Sequence, residues 1–233
     1  MCQKDSEVNV VDVQTRILAR NDNTAAHNRE HFLERDIFAL NVMGSPGSGK
    51  TAVLEATARA FGDSRKLAAL AGDLATDNDA ARLRRAGLRA RAIETGQACH
   101  LDAEMVHHEL HHFDLAGVDY FFIENVGNLV CPAVYDLGQS ANVVVLSVTE
   151  GEDKPLKYPT MFARADLVLL TKTDLLPHLP LVNVPAILDA LARVMPDPRL
   201  IPISPLGGEG IIDWLDWLRM RRNAMLTTSE VFA

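Results

Sequence analysis

The eight residues Gly44-Ser45-Pro46-Gly47-Ser48-Gly49-Lys50-Thr51 constrain this chain more than any other stretch. They match the phosphate-binding loop pattern G-x-x-x-x-G-K-S/T. An apolar run over residues 37–43 precedes them and predicts a buried strand. Residues 52–60 follow and predict a helix. Strand, loop and helix in that order are the context the motif needs, which a chance Gly-rich turn lacks. Glycines let backbone N–H groups turn toward one point, and the helix N-terminus adds positive potential there. In this reading Gly47, Ser48 and Gly49 cradle phosphate, Lys50 reaches the outer phosphates, and the Thr51 hydroxyl ligates magnesium.

The rest of the chain alternates. Strands are predicted at 66–71, 89–94, 120–123, 143–146, 167–170 and 200–203, and helices at 77–86, 102–113, 185–194 and 210–222. This predicts an α/β fold with a mostly parallel sheet flanked by helices, with ligands at the carboxyl ends of the strands. Residues 1–36 differ: a weak helical stripe, interrupted at Asn21-Asp22-Asn23, predicts an N-terminal helical extension packed on a 37–222 core domain. Residues 223–233 are expected to form a frayed tail. At 233 residues, 48% of them apolar, the chain can build a large core. A net charge of −8 argues against nucleic acid as a main partner. No apolar run approaches the roughly 20 residues of a membrane span. The polar N-terminus and an odd cysteine count, three, point to a cytoplasmic protein with free thiols or thiolate ligands.

Further candidates sit at strand ends. Glu124 ends the 120–123 strand, where a carboxylate holds magnesium directly or through water; an ordinary strand-end acid is the alternative. Gly127 lies where a backbone amide meets a γ-phosphate. Asp73 and Asp79 are candidates for magnesium or for the attacking water, or else helix caps. Thr171-Lys172-Thr173-Asp174 follows another strand. There Asp174 can accept two hydrogen bonds from guanine that adenine does not supply, Lys172 can cover the base, and Ser204 can close the pocket. The catalytic group is expected in Lys50, Asp79 and Glu124.

Cys99-His100 and Cys131 also fall at strand ends. Two thiolates and an imidazole suit zinc or nickel, although cysteines are often buried as small hydrophobes. The run 107–112 carries four histidines opposite the Val106, Leu110 and Phe113 face. His107 with His111, and His108 with His112, are pairs able to chelate a metal, or else a solvated polar face. Before any family is considered, a metal-free assembly or signalling GTPase and an ATP-dependent small-molecule kinase remain rivals.

Together with Gly72-Asp73, Asp79-Ala80, Thr95-Gly96 and Thr149-Glu150-Gly151, the segment from Glu124-Asn125-Val126-Gly127-Asn128 to Cys131-Pro132 resembles the nickel-incorporation GTPases of nickel–iron hydrogenase maturation. The resemblance covers about residues 37–218. It implies a P-loop NTPase fold of the SIMIBI type, slow hydrolysis of GTP to GDP, and zinc or nickel (Zn2+ or Ni2+) on Cys99, His100 and Cys131. It implies magnesium (Mg2+) on Thr51 and Glu124, and a homodimer favoured by GTP. It also implies a small zinc-containing nickel chaperone as partner, with the hydrogenase large subunit served indirectly. Two departures stand out. Only Cys2 lies near the start, where some members carry a Cys-rich nickel site, and Thr171 stands where the family usually has Asn.

Overall fold

The computed structural model describes residues 10–74, 76–96 and 98–231; Cys2 lies outside them. In chain order the elements are α1 (Val10–Leu33), β1 (Phe38–Gly44), α2 (Lys50–Phe61), β2 (Leu67–Asp73), α3 (Asn78–Arg85), β3 (Arg89–Glu94), α4 (Ala103–Leu110) and β4 (Tyr120–Glu124). They continue with β5 (Ala141–Ser147), α5 (Lys154–Lys157), α6 (Pro159–Ala163), β6 (Leu167–Thr171), α7 (Val184–Ala192), β7 (Leu200–Ile203) and α8 (Ile211–Val231). The strands form one sheet in the order β3-β2-β4-β1-β5-β6-β7. Every neighbouring pair is parallel.

Apart from the edge strand β3, where Arg89, Arg91 and Glu94 interrupt the pattern, the strands read as mainly apolar runs because both faces of the sheet are covered. Phe38, Leu40 and Val42 of β1 pack with α2, α3 and α8, where Trp214 is fully buried. Ala39 and its β2 and β4 neighbours Leu70, Phe121 and Ile123 pack under α1 and α4. Met43 and Val144 lie under α6 and α7. On the first face Trp214 Nε1 donates to Thr57 Oγ1 at 2.9 Å, which locks α8 to α2.

Three expectations change. α1 runs unbroken through Asn21-Asp22-Asn23. Asn21 Nδ2 donates to the Asp136 carbonyl at 2.8 Å, and Asn21 Oδ1 accepts from the Ala103 N–H at 2.9 Å. Tertiary partners outweigh the small helix penalty of Asn. α4 begins one residue later and stops three earlier than predicted, capped by Asp102, whose carboxylate accepts from Met105 N at 2.8 Å. α8 does not end at Arg222 but continues to Val231, with Met225 packed against the core.

Candidate functional site

The turn from β1 into α2 carries the phosphate loop. Gly47 and Gly49 take φ of 73° and 102°, a region closed to most side chains. A Cβ on Gly44 would lie 2.4 Å from the Val145 carbonyl oxygen, so only glycine fits beside β5. Thr171 Oγ1, at the end of β6, donates to the Ser48 carbonyl at 2.6 Å and ties the loop to the sheet. Ser45 Oγ donates to Glu150, whose other oxygen accepts from Ser147 N at 2.9 Å.

Beside the loop lies a cleft of about 430 Å³. It brings together Gly47, Gly49, Lys50, Thr51, Asp73, Asp79, Glu124 and Gly127. Lys50 is buried, and Nζ donates to the Gly44 and Ser45 carbonyls at 3.3 and 3.2 Å. Burial pushes its pKa down against the pull of Glu124, Asp79 and Glu150. Thr51 Oγ1 lies 2.6 Å from Glu124 Oε1 and 3.0 Å from Asp79 Oδ1. Burial, reinforced by the charge of Asp79 and opposed by the Thr51 hydrogen bond, pushes Glu124 up to about 7.

Glu124 Oε2 is buried with no partner. An orphaned carboxylate oxygen beside a hydroxyl and a second carboxylate is an all-oxygen donor set, which suits magnesium. Ser48 Oγ is likewise buried without a partner, under the loop rather than among the residues lining the cleft. Asp73 caps its own turn, accepting from Leu74 N at 2.6 Å and from Thr76 Oγ1.

Lys172, Asp174 and Ser204 form a separate group outside that cleft. Lys172 adopts a left-handed conformation, φ 60°, opening the 3-10 turn Thr173–His178. Ser204 Oγ donates to Asp174 Oδ1 at 2.7 Å, linking the ends of β6 and β7.

Cys99, His100 and Cys131 converge at the surface, their ligand atoms within 4.8 Å of one another. The two sulfurs stand 3.1 Å apart, too far for a disulfide. The His100 ring stacks on Tyr135 with centroids 4.0 Å apart, and burial lowers its pKa. A neutral imidazole has a lone pair to give a metal. Hydrogen bonding from Cys99, with burial, raises the Cys131 thiol. Two sulfurs and one nitrogen leave a coordination position open.

The sequence reading assigned no role to the two asparagines that join these centres. Asn125, fully buried, accepts with Oδ1 from Leu101 N at 3.1 Å and from Val126 N at 3.0 Å, and donates to Asn41 Oδ1 at 3.1 Å. Asn128 N donates to the Gly44 carbonyl at 3.1 Å, and its Nδ2 donates to the Cys99 carbonyl at 3.2 Å. Two asparagines within four residues just past a strand-end acid were the available signal. Gly127 rests against the loop: a Cβ there would meet Pro46 Cα at 2.8 Å.

Residues 38–195 match the family described as CobW/HypB/UreG, nucleotide-binding domain. The chain is 50% identical over 221 residues to the hydrogenase maturation factor HypB of Azotobacter vinelandii, covering 95% of this chain and 73% of that one. Among solved structures, HypB from Helicobacter pylori in complex with nickel superposes with a TM-score of 0.83 at 39% identity, covering 88% of this chain and 96% of that one. HypB from Archaeoglobus fulgidus superposes with a TM-score of 0.80 at 40% identity, covering 88% of this chain and 100% of the other.

Proposed function

The chain belongs to the HypB family of hydrogenase maturation factors, P-loop GTPases of the CobW/HypB/UreG group, and we propose that it carries nickel on Cys99, His100 and Cys131 under the control of its bound nucleotide. The observation that carries this reading is the convergence of those three side chains beside a segment tied to the phosphate loop. Nickel is the cargo, and the open fourth position is where it would enter and leave. A surface site held by two soft thiolates and a neutral imidazole suits nickel or zinc. The solved nickel complex of the Helicobacter pylori relative supports nickel.

For GTP turnover, the loop amides and Lys50 would bind the phosphates, and Thr51 and Glu124 would hold magnesium, with Asp79 at second rank. Magnesium, when bound, supplies charge neutralisation at the phosphates. Lys50 already points its ammonium along the loop and needs only to exchange two carbonyls for phosphate oxygens. Asp174, steadied by Ser204, would read guanine, with Lys172 over the base. Arg82 lines the cleft, but its guanidinium is fixed to Glu55 at 2.8 Å. With its arginine so held, turnover by the isolated chain is slow, because a free arginine finger is worth about 10³–10⁵ in rate. A GTP-favoured homodimer, delivery from a small zinc-containing nickel chaperone, and a cytoplasmic setting complete the proposal. No helix among the described residues is long and apolar enough to cross a membrane.

The test is nickel affinity measured on protein loaded with GDP and with a non-hydrolysable GTP analogue. The expected result is a difference between the two forms that Cys131→Ala abolishes with the fold intact. Equal affinity and equal release rates in both forms would defeat the proposal and leave a nucleotide switch with two surface thiols.

A further inference from the structure

A second cluster of metal-ligating side chains lies at the C-terminal end of α4, with His107 in its last turn and His111 just past it, away from the sulfur site. His107 Nε2 and His111 Nε2 face each other 3.1 Å apart, with the rings nearly perpendicular. Metal–imidazole bonds of roughly 2.0–2.1 Å put two ligand nitrogens about 2.9 Å apart at a right angle and about 3.4 Å apart at a tetrahedral one. The observed spacing falls between these values.

The tautomer of His107 is set from below. Its Nδ1 lies 2.9 Å from Asn28 Oδ1. Asn28 is fully buried, and its amide nitrogen is spent on two main-chain carbonyls, Ala103 at 2.9 Å and Leu137 at 3.2 Å. The Asn28 oxygen is therefore the acceptor, His107 carries its proton on Nδ1, and the Nε2 lone pair faces His111. Metal-binding histidines are commonly oriented in this way, through the nitrogen that does not bind the metal. His31, on α1, lines the same groove as His111. Of the two readings of the histidine run, a chelating pair or a solvated polar face, His107 departs from the second, being half-buried on Asn28, while His108, His111 and His112 are exposed.

We propose that His107 and His111 form a second metal site for a late first-row divalent cation such as nickel or zinc, with His31 at its rim and water completing the coordination. In the metal-free site His111 donates its Nε2 proton to His107 Nε2. On binding, that proton moves by way of solvent to Nδ1 of the same ring, so that both Nε2 lone pairs face the cation and no net proton is released. The site does not depend on the sulfur ligands or on the nucleotide. Lacking thiolates, it is the weaker of the two, suited to holding a cation rather than fixing it.

The test uses the full chain without any polyhistidine tag and with Cys99→Ser and Cys131→Ser, so that the sulfur site is removed, and with magnesium in excess to fill the oxygen site at Glu124. Nickel chloride alone is titrated by calorimetry, and the bound ion is read by X-ray absorption. One equivalent with nitrogen and oxygen ligands and an imidazole signature is expected. His111→Ala, at an exposed position, should weaken binding by about tenfold or more while leaving metal-free thermal stability and GTP turnover of the otherwise native chain unchanged. Absence of nickel binding in the sulfur-free protein, or binding that His111→Ala leaves untouched, would overturn the proposal.

Discussion

Glu124 shows how one residue sets conditions for the whole site. Its carboxyl titrates near 4.5 when unfolded and is pushed up to about 7 by burial in the fold. A raised carboxyl pKa means the fold disfavours the ionised form. This group's contribution to stability is therefore fully present below pH 4.5 and is lost as pH rises through about 7. Its amplitude is roughly 3 kcal/mol, from about 1.4 kcal/mol per pKa unit. Urea denaturation of the metal-free, nucleotide-free protein at pH 5 and pH 8 measures it. The native chain should lose stability relative to Glu124→Gln across that interval, so that Gln is the more stable at pH 8. Parallel pH profiles would show that Glu124 ionises freely in the fold. Glu124 was legible in the sequence as a strand-end acid. Its orphaned Oε2 and its short contact with Thr51 were not, because they follow from β4 lying beside β1, two strands apart in the chain.

At the scale of elements, α1 is held by side chains rather than by its weak apolar stripe. Asn21 supplies the acceptor for Ala103 N, one of the N–H groups that the start of α4 leaves unmatched within its own helix. Asn21→Ala removes that acceptor and the donor to Asp136. The expected loss is about 1–3 kcal/mol, read as a lower urea midpoint at unchanged slope. Asp22→Ala, on the exposed side of the same turn, should stay within about 0.5 kcal/mol. Equal small effects would mean that α1 is held by its other contacts, the buried Phe32 and Ala25 and the side chains of Asn28 and Arg29. The interior strands were readable because a two-sided sheet writes each as a mainly apolar run. The continuity of α1 was not, since Asn reads locally as a helix breaker and its partners lie 82 and 115 residues away. The extension of α8 past Arg222 was hidden for a related reason. Its anchor, Met225, meets Ser140 across the fold at 3.7 Å.

For the whole molecule the question is how two centres at the carboxyl end of one sheet exchange free energy. The sheet fixes the ends of β1 and β4, and the segment that follows Glu124 lies outside it. That segment touches both centres. Gly127 leans on Pro46 of the phosphate loop, and Asn128 holds the Gly44 carbonyl with its main chain and the Cys99 carbonyl with its side chain. A phosphate that draws Gly127 toward the cleft would move Asn128 and thereby the backbone carrying a metal ligand. Linkage makes the effect reciprocal: the factor by which a GTP analogue changes nickel affinity equals the factor by which nickel changes affinity for the analogue. Such factors are typically about 5–150-fold, or 1–3 kcal/mol. Asn128→Ala keeps the main-chain bond to Gly44, all three metal ligands and every phosphate contact. The Asn128 side chain also accepts from Val130 N at 2.8 Å and hydrogen-bonds the Cys131 thiol, so nickel affinity of the nucleotide-free protein shifts as well. The coupling factor, a ratio in which that shift cancels, should fall toward one in both directions. Calorimetric titration of each ligand with and without the other closes that cycle. A factor that survives Asn128→Ala undiminished would move the coupling to Asn125, whose carboxamide holds Leu101 N two residues beyond Cys99 and Val126 N on the same segment.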